Sequence, residues 1–142
     1  MNKLVIIARG VPGAGKTTYL NRVFSGAARA SADDYFMENG SYKWDPGRLQ
    51  EAHDYCYNRF LTALFEGQSR VVVDNTNVRI KHFERYVSSA KEHGYKVAVI
   101  RFDVDPVAAA RRNVHGVPVS KVCRMAHDME PYPGEIVFRL TA

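Results

Sequence analysis

The sequence has only two cysteines, no long apolar run and, over one stretch, no acidic residue. Cys56 and Cys123 sit in no metal-binding or redox spacing. A reduced, cytoplasmic setting is therefore expected, with each thiol acting as a small buried hydrophobe. The longest N-terminal apolar run, Leu4 to Ala8, falls far short of the roughly 20 residues of a membrane span. The Met1-Asn-Lys-Leu-Val5 start also lacks the small-residue cleavage site of a secretory leader, so no membrane partner is expected. Repeats, low-complexity segments and linkers are absent as well. At 142 residues the expectation is one domain, 1–142, large enough for a real core. The content, 46% hydrophobic and 25% charged, is that of an ordinary globular protein.

Acid is missing between Pro106 and His127, whereas Arg111, Arg112, Lys121 and Arg124 lie there. With a formal net charge of +5, this concentration of cations suits an anionic partner such as nucleic acid.

Periodicity predicts alternating strands and helices. Strands are expected at Leu4–Ala8, weakly at Ala28–Ser31, and at Arg70–Val73, Lys96–Phe102 and Ile136–Leu140. Helices are expected at Gly15–Phe24, from the Asp45-Pro46 start to Gly67, around Ile80–Ala90, at Pro106–Asn113 and at Val119–Met129. Continuous apolar strands alternating with helices imply an α/β fold with a five-stranded parallel sheet covered on both faces. Ligands in such sheets bind at the carboxyl ends of the strands, where the polar motifs fall.

Gly10-Val-Pro-Gly-Ala-Gly-Lys16-Thr17 fits G-x-x-x-x-G-K-[ST] in full, after an apolar strand and before a helix. This is the context of a P-loop NTPase fold. Backbone N–H groups of Gly13, Ala14, Gly15, Lys16, Thr17 and Thr18 are expected to cradle the phosphates of ATP. Lys16 would reach the β- and γ-phosphates and Thr17 would ligate Mg²⁺. The small size favours a kinase over a GTPase or a motor ATPase.

Three further segments bear on the acceptor. Asp33 or Asp34, after the weak second strand, can orient a hydroxyl and take its proton; an Asp pair capping the next turn is the alternative. Asp74, closing the Arg70 strand, is the expected second Mg²⁺ partner, with Asn75, Thr76 and Asn77 placed for phosphates or acceptor, or for a polar turn. Arg111 and Arg112, with the Asn113–Pro118 turn carrying His115, outline a helical lid at about 111–125 whose arginines can neutralise a transition state. Some of these cations belong to a solvated helical face. Tyr35, Phe36, Tyr42 and Trp44, with Lys43 and Arg48, can stack bases or cover the sheet edge. His53 and Cys56 on an apolar helical face read as packed, and Asp103-Val-Asp105-Pro106 as a strand end with a helix cap.

Arg9–Thr18, Ser31–Phe36, Ala52-His53, Val73–Asn77 and Arg112–Pro118, in that order, resemble the polynucleotide-kinase-like P-loop domains. That group includes the kinase half of phage polynucleotide kinase-phosphatases and the similar domain of ubiquitin-ligase-binding proteins. The resemblance implies transfer of the ATP γ-phosphate to a 5′-hydroxyl of DNA or RNA. It also implies Asp33 as general base, Asp34 close by, and Arg112 with Arg111 at the transition state. The chain departs from the phage enzymes in two places: Phe36 stands where they carry an arginine, and the lid is shorter, with His115 near the place of a further arginine. A small-molecule kinase and a non-catalytic module that uses ATP to order its lid are the rival expectations.

Overall fold

The computed structural model describes residues 2–38 and 40–139. Five strands form one sheet: β1 (Leu4–Arg9), β2 (Ala28–Ala30), β5 (Arg70–Asp74), β6 (Lys96–Asp103) and β7 (Ile136–Arg139). Their order is β2-β5-β1-β6-β7 and every pairing is parallel. The five-stranded parallel sheet expected from the sequence is therefore present. Leu140 of the expected last strand lies outside the described residues.

β1 explains why the sheet needs two covers. Successive side chains on a strand point to opposite faces. Val5 and Ile7 accordingly join one core with Val71, Val73, Phe60, Phe83 and Tyr86. Ile6 and Ala8 join another with Val72, Leu20, Phe102 and Val122. The first core lies under α2 (Leu49–Phe65) and α3 (Glu84–Glu92), the second under α1 (Lys16–Val23), α4 (Pro106–Arg112) and α5 (Val119–Asp128). No helix among the described residues is long and apolar enough to cross a membrane.

The helix starts follow their caps. Asp45 accepts from Gly47 N at 2.9 Å and Asp105 from Ala108 N at 3.0 Å, each with proline at the first position. The turn after Asp45 is a 3-10 helix, Pro46–Arg48, before α2 proper. The helix expected around Ile80 is likewise split: Ile80–His82 is 3-10, and Phe83, at φ −132° and ψ −1°, interrupts it before α3. Between β2 and α2 the sequence reading assigned no elements. The chain there forms a 3-10 turn, Ala32–Phe36, then a small antiparallel hairpin of β3 (Met37–Glu38) and β4 (Ser41–Tyr42).

Arg9, the last residue of β1, has no solvent exposure. Its Nε donates to Asn77 O (2.9 Å), Nη2 to Val78 O (3.0 Å) and Glu130 O (2.7 Å), and Nη1 to Glu135 Oε1 (2.7 Å). The guanidinium also lies 4.7 Å from the centre of the Phe83 ring. Glu135 in turn accepts from Arg101 Nε and Tyr132 N, both at 3.1 Å. A buried ion is tolerated only when paired and fully hydrogen-bonded, and removing one partner typically costs about 3–5 kcal/mol. Glu135→Ala should therefore lose about 3–5 kcal/mol in urea unfolding; a loss below about 1 kcal/mol would show that Arg9 does not depend on it.

Candidate active site

Four loops converge at the carboxyl end of the sheet, after β1, β2, β5 and β6. The loop after β1 carries the glycine-rich motif. Gly10 N donates to Thr76 O (3.0 Å) and Ala14 N to Val11 O (3.1 Å), which fixes its curl. Gly13 and Gly15 have φ of +82° and +89°, open to glycine at little cost. A Cβ on Gly13 would sit 1.9 Å from Ala109 O, so α4 packs directly on the loop. The N-cap of α1, Gly15, offers no side-chain cap. Among the described residues, the N–H groups of Gly15, Lys16, Thr17 and Thr18 have no protein acceptor. These are orphan donors at the positive end of a helix, the arrangement that binds phosphate.

Lys16 is 9% exposed and its Nζ donates to Gly10 O at 3.0 Å. Burial pushes its ammonium below its ordinary pKa; the carboxylates of Asp74 and Asp33 oppose the shift and Arg29 adds to it. Thr17 Oγ1 donates to Asp74 Oδ2 at 2.9 Å, joining the glycine-rich loop to the end of β5. Arg29 Nη2 lies 3.5 Å from Asp74 Oδ2 and 3.6 Å from Asp34 Oδ1, so it sits between two carboxylates. Asp33 points elsewhere. Its side chain is 53% exposed, Tyr42 Oη donates to its Oδ1 at 3.2 Å, and His115 Nε2 stands 3.7 Å from its Oδ2.

The asparagines after β5 are used differently from one another. Asn75 Oδ1 accepts from Ala32 N (2.9 Å) and its Nδ2 donates to Cys56 Sγ (3.4 Å), tying the Asp33 turn to β5 and α2. Cys56 also accepts from Tyr86 Oη, so this thiol is packed, as its helical position suggested. Asn77 is 3% exposed at φ +48°, and its Nδ2 donates to Ala8 O at 2.8 Å. Its amide is a strut for β1. Thr76 meets the glycine-rich loop through its carbonyl. Phe36 is buried in the core. Arg111 and Arg112 are exposed on the last turn of α4. Arg124 pairs with Asp128 along α5, the solvated-face alternative for that cation.

Arg29 is missing from the sequence-based candidates; a cation in a weak strand, flanked by alanines and close to an Asp pair, is the signal that points to it. Tyr42 stands among the aromatics able to stack bases or cover the sheet edge, and the hairpin turns it toward Asp33.

The family model described as AAA domain (AAA_33) matches residues 5–115. The chain belongs to this family. NEDD4-binding protein 2 of Homo sapiens is 36% identical over 130 residues, covering 86% of this chain and 7% of that protein. The chain thus spans a small part of its curated relative. Among solved structures, a chain of the Pnkp1/Rnl/Hen1 RNA repair complex is 19% identical with a TM-score of 0.71, covering 90% of this chain and 44% of that one. A sugar kinase from Janibacter sp. HTCC2649 is 19% identical with a TM-score of 0.61, over 99% of this chain and 85% of that one. These likenesses bear out the resemblance and the P-loop kinase-like α/β fold.

Within this AAA domain, burying Lys16 costs stability. A lysine whose pKa is lower folded than unfolded binds fewer protons in the native state, so stability rises with pH across the window between the two values. Below that window the charged, desolvated ammonium costs the most. Lys16→Met should therefore be at least as stable as the parent at neutral pH in urea unfolding, and the parent should gain on it at alkaline pH. A variant markedly less stable at neutral pH would contradict this account.

Proposed function

We propose that this AAA domain is an ATP-dependent kinase that transfers the γ-phosphate to the 5′-hydroxyl of a polynucleotide, DNA or RNA. The observation that carries the reading is a division of labour between two carboxylates. Asp74 is buried and bonded to Thr17 of the phosphate loop, whereas Asp33 is half exposed and lies between Tyr42 and His115.

The residues fit ATP and Mg²⁺. The unpaired N–H groups from Gly15 to Thr18, with Gly13 and Ala14 shaping the curl, suit the phosphates, and Lys16 the β/γ oxygens. Thr17 Oγ1 and Asp74 Oδ2 are adjacent hard oxygen donors. Among the described residues no three His, Cys, Asp or Glu side chains cluster as a metal site. One carboxylate plus substrate phosphates is the usual way such sites take Mg²⁺. A Mg²⁺ ion held by Thr17 and Asp74 would supply positive charge to offset the negative charge that phosphoryl transfer develops.

Asp33 accepts the proton of the acceptor hydroxyl as that oxygen bonds to the γ-phosphorus. The bond from phosphorus to the bridging oxygen breaks, and ADP leaves with the electron pair. Segment 111–125 serves as the lid, and Arg112, with Arg111, offsets charge on the equatorial oxygens. Asp34 and Arg29 hold the second carboxylate side in register. Three features support a polynucleotide acceptor: the acid-free basic stretch, the net charge of +5 and the likeness to the RNA repair chain. A sugar acceptor is the second reading, favoured by Phe36 being apolar and buried and by the nearly full-length likeness to the sugar kinase.

Asp33→Asn should lower transfer from labelled ATP to 5′-hydroxyl oligonucleotides by about 10²–10⁴-fold, with ATP affinity unchanged. Transfer that survives the substitution would remove Asp33 from the proton step. Label appearing on free sugars but never on oligonucleotides would decide for the second reading.

A further inference from the structure

We infer that the Tyr42 ring, covered here by the lid residue His115, is the stacking platform for the base of the acceptor's terminal nucleoside, with Tyr42 also positioning Asp33. This rests on the polynucleotide reading and names what the same site recognises beyond the hydroxyl.

The Tyr42 and His115 rings stack with centroids 3.9 Å apart and planes inclined by 35°. Both also touch the same carboxylate: Tyr42 Oη donates to Asp33 Oδ1 at 3.2 Å, and His115 Nε2 lies 3.7 Å from Oδ2. One oxygen of Asp33 is thus engaged by the hairpin, and the other is reached from the side where His115 stands. An acceptor hydroxyl arriving at Oδ2 must take the place of that imidazole. The planar group attached to the same sugar then meets the Tyr42 face that the imidazole had covered. Any base has a π face that can replace one aromatic ring by another, without regard to sequence.

The platform has support on both sides. Behind Tyr42, the buried Phe36 ring packs edge-on at 6.2 Å. On the lid side, Asn113 braces the His115 loop by donating to Ala110 O (2.8 Å) and Val117 O (3.1 Å) and accepting from Val117 N (2.9 Å). A second contact between hairpin side and lid, Lys121 Nζ 5.4 Å from the centre of the half-exposed Trp44 ring, lies on the same seam. Burial and the neighbouring Asp33 charge push the Tyr42 phenol up, so it remains an O–H donor across the working pH range. That donor engages Oδ1 and leaves Oδ2 to the acceptor once the His115 imidazole gives way.

The test compares two single-stranded oligonucleotides that differ only in whether the 5′-terminal sugar carries a base or is abasic. KM and kcat are measured with labelled ATP for the intact chain and for Tyr42→Ala, Tyr42→Phe and His115→Ala. The intact chain should show a KM for the abasic end higher by about five- to a hundredfold, the range expected of one stacked base. Tyr42→Ala should collapse that ratio toward one. Tyr42→Phe should keep the ratio but lower kcat several-fold, because the stack survives and the donor to Asp33 does not. His115→Ala should keep the ratio and lower both KM values, since the competing ring is gone. Equal KM for the two acceptors in the intact chain, or a ratio unmoved by Tyr42→Ala, would overturn the platform while leaving the polynucleotide reading intact. If the intact chain labels neither oligonucleotide, the polynucleotide reading falls and the platform with it. Should Tyr42→Ala fail to fold, as judged by its melting curve, the base-to-abasic ratio of the intact chain decides alone.

Discussion

The molecule turns on a guanidinium that water never reaches. Arg9 closes β1, the central strand, and the next residue begins the phosphate loop. Desolvating such an ion is costly, and only a complete set of acceptors makes it tolerable. Those acceptors come from the turn after β5 and from the segment between α5 and β7. The strand that carries the loop, the turn that carries Thr76 and the connection that returns the chain to β7 are therefore fixed relative to one point. Asn77, by bonding back to Ala8 O, doubles the tie. A single buried charge thereby ties three segments around the cleft to one another.

Within the cleft the design spends stability on binding. Lys16 is buried, the first N–H groups of α1 have no protein acceptor, and α4 lies so close to Gly13 that no side chain fits between. Each feature is unfavourable or exacting in a free fold, and each is what a chain of phosphates requires. Charge is arranged in the same way. Arg29 lies between Asp34 and Asp74, and the charges of Asp74 and Asp33 partly offset the burial of Lys16, so anions and cations are already balanced in the cleft.

The parts of this arrangement visible in the sequence are those written in local patterns. Apolar runs such as Val71–Val73 and Val5–Ala8 announce strands buried on both faces, and Asp45-Pro46 and Asp105-Pro106 announce helix starts. The glycine-rich loop is legible because its spacing is dictated by backbone geometry. The rest depends on contacts across long stretches of chain. Arg9 and Glu135 are 126 positions apart, and nothing near either one tells that they meet. The hairpin at Met37–Tyr42 is too short for a period-two pattern, so Tyr42 looked like one more aromatic. Asn75 and Asn77 fall in a polar run that suited ligand contacts, yet both amides are engaged by the protein itself; a run of polar residues does not say which way each one faces.

The two sides of the cleft also differ in what they are made of, and that difference bears on specificity. In the proposed kinase the donor side combines main-chain N–H groups and glycine φ angles with the Lys16, Thr17 and Asp74 side chains. The proposed acceptor side is three side chains, Asp33 from the 3-10 turn, Tyr42 from the hairpin and His115 from the loop after α4. Asp33 and His115 lie outside both cores, whereas Tyr42 packs, partly buried, against the core that holds Phe36 and Val73. The fold is shared with a chain of an RNA repair complex and with a sugar kinase, and one fold can host different acceptors through different local side chains. In the proposed kinase, acceptor choice then falls to Asp33 and to the Tyr42 ring that His115 covers beside it.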